Sequence, residues 1–190
     1  MKKRLEKKEV IKMKFKLFYM VIAIILLSTS FIFGNGHENL SDNVCATIGG
    51  GCYDTIKVAS RAATIAGGWR NYIYNSYVSI GGGQKNRAFG YGSTIGGGIN
   101  NRAASSNVTI GGGGDNIAEG TSSTVSGGVS NSATNSSCTI GGGYKNIASG
   151  NTSTVGGGGY NTAGGEYSTV AGGWYCTAAG CTRNCRRWIC

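Results

Sequence analysis

Hydrophobic and polar positions recur along most of the chain with a fixed spacing of fifteen residues. A Thr or Ser is followed by Ile or Val in eight successive copies, from Thr64–Ile65 to Thr169–Val170, and a degenerate copy lies seventeen residues upstream at Thr47–Ile48. A strict period indicates units that stack in register, because a flexible linker has no reason to keep a fixed length. The eight apolar residues are Ile65, Ile80, Ile95, Ile110, Val125, Ile140, Val155 and Val170.

The pattern within each copy predicts two short strands joined by tight turns. Side chains alternate along a strand, so Ile95 shares a face with Ser93 while Thr94 points to the other face. In the second half of a copy, Asn86 and Ala88 share a face in the same way. Fifteen residues rich in Gly, Ser and Thr are too few and too poor in helix formers for a helical repeat. We therefore predict an all-β solenoid, a flattened parallel β-roll of about nine coils.

A column of asparagines and clusters of glycine keep the same period. We interpret the asparagines as a buried ladder that hydrogen-bonds along the stack, in preference to a ligand-binding column. We expect Gly97 and Gly98, and their equivalents, at corners that need a positive φ or a close backbone approach. The asparagines are Asn71, Asn86, Asn101, Asn116, Asn131, Asn146 and Asn161.

Charge and apolar runs divide the chain into segments. Of the 18 Lys and Arg, eight lie in residues 1–16, whereas residues 17–182 carry seven basic and six acidic residues. The basic start and the apolar run 17–27 predict a signal peptide over 1–36, with Met13 as an alternative start and an uncleaved membrane anchor as the rival. A leader (37–46), the β-roll (47–180) and an irregular Cys- and Arg-rich tail (181–190) follow. The near-neutral repeats argue against nucleic-acid binding, despite a net charge of +10.

The copies "CTIGGGYKNIASG" (138–150) and "STVGGGGYNTAGG" (153–165) resemble the YadA-like, haemagglutinin-type head repeats of trimeric autotransporter adhesins. The resemblance covers residues 47–180 and implies a left-handed parallel β-roll, a homotrimer and an adhesive role at the outer membrane of a bacterium. One Ile or Val and one Ala per coil make a thin core, which also favours self-association. In that family a stalk and a membrane anchor follow the head, whereas here the composition changes after residue 180. The tail is a cap, a fragment end or the product of a frameshift, and membrane attachment is expected only through the signal segment or a missing anchor.

The sequence offers little for catalysis or metal binding. The sole His, His37, lies outside the repeats, and the carboxylates share no column, so we predict no enzyme activity, cofactor or metal. The spacing of the last four cysteines fits disulfides or a disordered tail better than zinc. We expect Cys138 to fill the core, and a bridge between Cys45 and Cys52 is one way to hold the first coil. The last four cysteines are Cys176, Cys181, Cys185 and Cys190.

Aromatic residues at the turns are the candidate contact residues. Their positions vary from copy to copy, and exposed Tyr and Trp favour protein and sugar contacts, although packing against adjacent coils or a second subunit is an equally good interpretation. We predict that the turns bind a host surface protein or glycan; the alternative is a truncated or structural segment without a ligand. The regular Thr column offers a third, weaker hypothesis of ice or crystal binding. The candidates are Trp69, Tyr91, Tyr144, Tyr160 and Trp174.

Overall fold

A computed structural model describes residues 46–57 and 60–180, with the backbone of three further strands at 31–32, 40–41 and 184–187. The rest of the predicted signal segment, including Met13, lies outside the described residues. So do His37, Cys45, Cys181 and Cys190, and the side chain of Cys185. Cys52 is a free cysteine, so the structure does not contain the predicted Cys45–Cys52 bridge. Cys176 is buried, whereas the predictions for Cys181, Cys185 and Cys190 rest on the sequence alone.

Two parallel sheets make up the described fold, and the described residues form no helix. The odd-numbered strands form an eleven-stranded sheet: β1 (Phe31–Ile32), β3 (Thr47–Ile48), β5 (Thr64–Ile65), β7 (Ser79–Ile80), β9 (Thr94–Ile95), β11 (Thr109–Ile110), β13 (Thr124–Val125), β15 (Thr139–Ile140), β17 (Thr154–Val155), β19 (Thr169–Gly173) and β21 (Asn184–Arg187). The even-numbered strands form a ten-stranded sheet: β2 (Leu40–Ser41), β4 (Thr55–Ile56), β6 (Tyr72–Ile73), β8 (Arg87–Ala88), β10 (Arg102–Ala103), β12 (Ile117–Ala118), β14 (Ser132–Ala133), β16 (Ile147–Ala148), β18 (Thr162–Ala163) and β20 (Thr177–Ala178).

Each strand pairs with its equivalent in the next coil. Thr94 and Ile95 pair with Ser79 and Ile80 on one side and with Thr109 and Ile110 on the other. The chain is thus a parallel β-solenoid of about nine fifteen-residue coils, which confirms the fold class predicted from the period. The seventeen-residue first coil keeps the same register, since Thr47 pairs with Thr64.

The strand β21 continues the eleven-stranded sheet into the segment that the sequence assigns to an irregular tail. Its backbone pairs Asn184 with Thr169 and Cys185 with Val170, where the fifteen-residue period places the next Thr–Val pair. The register then shifts between Val170 and Gly172. The backbone period therefore extends one strand further than the side-chain pattern.

The core lies between the two sheets and is built from three apolar or small columns. The Ile and Val of the eleven-stranded sheet are buried, as are the residues before each Thr, such as Val108 and Cys138. Ala residues such as Ala103 supply the opposite side. The thiol of Cys138 lies 3.0 Å from the Gly150 carbonyl oxygen, which places this cysteine in the core. The Thr side chains face outward on the eleven-stranded sheet, as strand alternation requires.

All seven repeat asparagines are buried and form a continuous ladder. The backbone N–H of Asn101 donates to Oδ1 of Asn86 at 3.0 Å, and its Nδ2 donates to the carbonyls of Gly97 and Gly113, both at 3.0 Å. Each side chain thus fixes its own corner and the corner of the next coil. At the first coil Asp54 occupies the asparagine position, and its Oδ1 accepts from the Asn71 N–H at 2.7 Å. At the last regular coil Cys176 takes the position, and its N–H donates to Asn161 Oδ1 at 2.9 Å.

The glycine corners leave no room for side chains on the axial side. Gly98 has a φ of +89°, and a Cβ added there would lie 2.1 Å from the carbonyl oxygen of Gly113 in the next coil. Only glycine combines this backbone conformation with so close an approach. The glycines therefore allow consecutive coils to stack at strand spacing.

Candidate binding edge

One edge of the solenoid carries side chains that differ from coil to coil. We call it the bridged edge, and it consists of the two residues between the glycine corner and the Asn position. Backbone hydrogen bonds hold it in register; for example, the Lys85 N–H donates to the Trp69 carbonyl at 2.9 Å. Successive coils are joined there by single parallel bridges. The bridged edge comprises residues 52–53, 69–70, 84–85, 99–100, 114–115, 129–130, 144–145, 159–160 and 174–175.

The second residue of every pair on the bridged edge has a left-handed backbone conformation. Tyr53, Arg70, Lys145, Tyr160 and Tyr175 all have φ values between 53° and 59°. Asn, Asp and Gly adopt this conformation most readily, and other residues are strained in it by about 1 kcal/mol. Bulky aromatic and cationic residues therefore occupy positions at which the backbone alone would favour Asn or Gly.

Five residues near the C-terminal end form what we call the C-terminal cluster. The rings of Tyr160 and Tyr175 stack with centroids 4.8 Å apart and planes 14° apart. Tyr160 also contacts Tyr144 and Trp174 edge to face, at 5.3 Å and 5.4 Å. Tyr175 and Trp174 remain 61% and 45% exposed. The cluster is thus a surface of mutually packed aromatic rings that is open to solvent, and it consists of Tyr144, Lys145, Tyr160, Trp174 and Tyr175.

Lys145 places a positive charge within the C-terminal cluster. Its Nζ lies 5.2 Å from the centroid of the Tyr144 ring and 5.5 Å from that of Tyr160. A hydrogen bond with Lys145 lowers the pKa of the Tyr144 hydroxyl, and the same hydrogen bond raises the pKa of Lys145. A hydrogen bond with Tyr144 raises the pKa of the Tyr160 hydroxyl. The ammonium group therefore stays charged at neutral pH while it lies against the rings.

A second group of aromatic and cationic residues lies on the same edge near the N-terminal end. We call Tyr53, Trp69, Arg70 and Lys85 the N-terminal cluster. The Arg70 guanidinium carbon lies 4.4 Å from the Trp69 ring centroid and 5.6 Å from that of Tyr53. The Lys85 Nζ lies 5.4 Å from the Trp69 ring. The two clusters thus repeat one combination of aromatic rings and cations.

The structure brings together only part of the set predicted from the sequence. Tyr144, Tyr160 and Trp174 are in mutual contact or share a partner, whereas Trp69 lies in the other cluster. Tyr91 lies on the opposite edge, at the turn between the second strand of one coil and the first strand of the next, where its ring packs against Tyr77 at 5.3 Å.

Sequence reasoning missed five residues that complete the two clusters: Tyr53, Arg70, Lys85, Lys145 and Tyr175. The available signal is that bulky residues recur just before the position of the Asn column. Arg70, Lys145 and Tyr175 also follow an aromatic residue directly.

A further aromatic group covers part of the outer face of the ten-stranded sheet. Phe89 lies 6.0 Å from Tyr72 and 6.5 Å from Tyr74, measured between ring centroids. Lys57 and Arg102 lie over the Tyr74 and Phe89 rings. Arg102 also pairs with Glu119, so this face carries charges of both signs.

Three further features of the described residues concern metal binding, membrane insertion and the Thr column. Within that part of the chain, no three His, Cys, Asp or Glu side chains come close enough together to hold a metal ion. No helix in residues 46–57 or 60–180 has the length and hydrophobicity needed to cross a membrane. The outward Thr residues form a single column along the eleven-stranded sheet.

No protein-family model matches the chain, and no curated protein sequence matches it either. The bridged edge is therefore the feature of the molecule that best indicates a function.

Proposed function

We propose that the protein is the binding head of an exported, adhesin-like protein that contacts a host or matrix surface without catalysis. The observation that carries the proposal is the C-terminal cluster, in which four exposed or half-buried rings and one ammonium group lie at a single edge. Tyr and Trp combine a large apolar surface with a polar group, so they are frequent in binding surfaces.

In each coil the buried columns and the exposed edge are formed by different residues, which supports this proposal. The Ile or Val, Ala and Asn columns are buried and serve the fold, so they are not accessible to a partner. The bridged edge lies outside these columns, and its residues range from Gly and Ser to Trp. The bulky second residues of its pairs, such as Tyr160 and Tyr175, also occupy a left-handed backbone conformation, and strained conformations recur at functional sites.

We further propose that the protein acts as a homotrimer at the bacterial cell surface. The resemblance of residues 47–180 to adhesin head repeats supports this assembly, and so does the thin core of each coil. The outer face of the eleven-stranded sheet offers a suitable contact surface, because its columns are Thr or Ser and Gly, Ser or Ala. Short side chains let two surfaces approach closely over many coils.

Adhesion to cells and to extracellular matrix tests the binding role. We expect the purified full chain to bind, and a double variant with Tyr160→Ala and Trp174→Ala to lose most of that binding. The matched control, Tyr91→Ala, removes an exposed ring from the opposite edge and should bind normally. Normal binding by the double variant would contradict a role for the bridged edge. Absence of any binding by the full chain would favour a purely structural segment.

Sedimentation equilibrium tests the assembly separately. The mass of three chains is expected. A stable monomer at micromolar concentration would contradict the trimer, but it would not bear on the binding role, which the adhesion assay tests.

A further inference from the structure

We propose that the bridged edge binds a linear acidic polysaccharide, whose sugar rings pack on the two aromatic clusters while their cations pair with its carboxylate or sulfate groups. This inference names the ligand class of the binding head and therefore rests on the function proposed above. Four observations support it.

First, Trp174 is held in a position suited to packing against a sugar ring. A Cβ added at Gly159 would lie 2.2 Å from Cζ3 of Trp174, so the indole covers the bare backbone of the preceding coil. The ring is nevertheless 45% exposed. One side of the indole is therefore fixed by the backbone and the other is open to a ligand. Flat apolar faces of sugar rings pack well on such surfaces, while the hydroxyl groups remain in water.

Second, the charges of the bridged edge favour an anion. Its described cations are Arg70, Lys85 and Lys145, each within reach of an aromatic ring, and its only described carboxylate is Asp115. Asp115 lies between the clusters and accepts a hydrogen bond from Nδ2 of Asn100 at 2.6 Å. Neither cluster contains a carboxylate, so an anionic ligand would meet only positive charge at the rings.

Third, the two clusters are aligned along one axis. Trp69 and Tyr144 occupy the same position five coils apart in an unbroken series of bridges. At the spacing of paired strands, five coils correspond to about 24 Å. A linear polymer that lies along the edge can therefore contact both clusters, and the second contact becomes intramolecular once the first has formed.

Fourth, the density of charge distinguishes a polysaccharide from a nucleic acid. A nucleic-acid strand carries a phosphate on every nucleotide, at about 3.4 Å intervals in a duplex. Over the length of the bridged edge such a strand would present many more charges than three cations can neutralise. An acidic polysaccharide with one charge on every second ring carries fewer charges per unit length and more apolar ring surface, which fits this edge better.

Binding of size-graded oligosaccharides to the full chain tests the proposal. The probes are κ-carrageenan fragments with one sulfate on every second ring, hyaluronan fragments with one carboxylate on every second ring, and neutral dextran fragments of the same lengths. We expect one or both acidic series to bind, with affinity rising by about tenfold once the fragment exceeds about 24 Å, and to bind more weakly in high salt. The two acidic series distinguish sulfate from carboxylate as the preferred anion.

Variants assign the binding to the two clusters. Trp174→Ala should lower affinity by about tenfold, whereas Trp174→Phe should retain most of it because a ring remains. Lys145→Gln should lower affinity and weaken its dependence on salt. Trp69→Ala should abolish the gain with fragment length. The matched controls on the opposite edge, Tyr91→Ala and Arg61→Gln, should bind like the unchanged protein, and circular dichroism should show that every variant is folded.

Three results would overturn the proposal: equal binding of dextran and acidic fragments, tighter binding of single-stranded DNA of equal length, or equal losses in the control variants. These results are separable from the adhesion assay. Adhesion that depends on the bridged edge but is not inhibited by the acidic fragments would overturn the ligand class alone. Fragment binding without adhesion would contradict the proposed function and leave the polysaccharide site in place.

Discussion

Each buried asparagine uses nearly all of its hydrogen-bonding groups within the stack. Nδ2 of Asn116 donates to the carbonyls of Gly112 at 2.9 Å and Gly128 at 2.8 Å, and its Oδ1 accepts from the Asn131 N–H at 3.0 Å. Three backbone groups in two coils therefore depend on one side chain. Since a buried polar group without a partner costs about 1–3 kcal/mol, the ladder contributes to stability at every coil.

Replacing Asn116 with Ala should destabilise the fold by roughly 3 kcal/mol, because it removes these hydrogen bonds and leaves a small cavity. Urea unfolding followed by circular dichroism measures the loss. Asn151→Ala is the matched control: Asn151 lies at a turn, and only its backbone carbonyl has a hydrogen bond identified in the structure, accepted from Tyr167. An equal loss in both variants would show that the ladder is not a special source of stability.

Asp54 is the one ladder residue with a carboxyl group. It is fully buried, and burial raises the pKa of its carboxyl above the ordinary value of 3.8, although the hydrogen bond from Asn71 opposes the rise. A raised pKa in the folded state means that the stability contributed by the protonated carboxyl is complete below pH 3.8. This contribution is lost as the pH rises through the folded-state pKa.

Asp54→Asn should therefore raise the free energy of unfolding at pH 7 by about 1 kcal/mol, because an amide supplies the donors used at every other ladder position. The difference from the unchanged protein should shrink as the pH is lowered through the raised pKa of Asp54, because the carboxyl then becomes protonated. Unfolding curves at a series of pH values check both points. A gap that stays constant with pH would show that ionisation of Asp54 does not affect stability.

At the scale of the strand and turn, neighbouring glycines have unequal roles. Gly128 has a φ of +84°, and an added Cβ would lie 2.2 Å from the carbonyl oxygen of Gly143. Gly127 meets no other atom within 4 Å of the same added group. The two positions therefore form a matched pair within one corner.

We expect Gly128→Ala to destabilise the protein by about 4 kcal/mol or more, because the methyl group collides with backbone and the residue keeps a positive φ. Gly127→Ala should change stability by no more than about 0.5 kcal/mol. Thermal unfolding of the two variants gives the comparison. If both substitutions have small effects, the close stacking of coils at this corner is not required for the fold.

The elements that could be predicted from the sequence are those in which every coil requires the same kind of residue at the same position. The Ile or Val column and the Asn column each need one residue type, so their period shows directly in the sequence. The second turn is less regular: Gly90 would place a Cβ 1.7 Å from the Ser105 carbonyl, yet Ser105 itself and Asn135 occupy the same position in other coils. Different turn conformations accommodate different residues at that position, so no single residue type recurs there to indicate the turn.

The clusters of the bridged edge were only partly predictable for a related reason. A fifteen-residue period identifies which residues share a column, so Tyr144 and Trp174 are expected on one edge. The stack of Tyr160 on Tyr175 depends in addition on the left-handed backbone of both residues, which directs their side chains. Asn and Gly are the residues that usually indicate a left-handed backbone, so a Tyr at positions 160 and 175 gives no sign of it in the sequence.

At the scale of the whole molecule, the solenoid is a nearly one-dimensional stack in which each described coil contacts chiefly the coils before and after it. The stability of such a stack is the sum of contributions from single coils and from neighbouring pairs. Whole coils are therefore interchangeable units, whereas a single coil cannot have fewer residues than its paired strands and turns require. The seventeen-residue first coil shows that extra residues are accepted, since Thr47 still pairs with Thr64.

Deleting residues 105–119 should accordingly give a folded protein that is one coil shorter. The deletion joins Ala104 to Gly120. Ala104 occupies the same position in its coil as Glu119 does in the next, so every later side chain keeps its face. Deleting residues 105–120 should be far more damaging. The coil formed across this junction has one residue too few. The strand that follows must then shift by one residue, which would turn Val125 outward. Circular dichroism and urea unfolding distinguish the two deletions.

The shorter stack also links fold to proposed function, because the deletion lies between the two aromatic clusters. Removal of one coil brings Trp69 and Tyr144 closer by about 4.8 Å without changing either cluster. The fragment length at which acidic oligosaccharides gain affinity should fall by the same distance, while the affinity of short fragments stays constant. An unchanged length threshold in a folded deletion variant would mean that the two clusters do not bind one polymer together. The solenoid would then act as a support for separate sites, and its length would carry no information about the ligand.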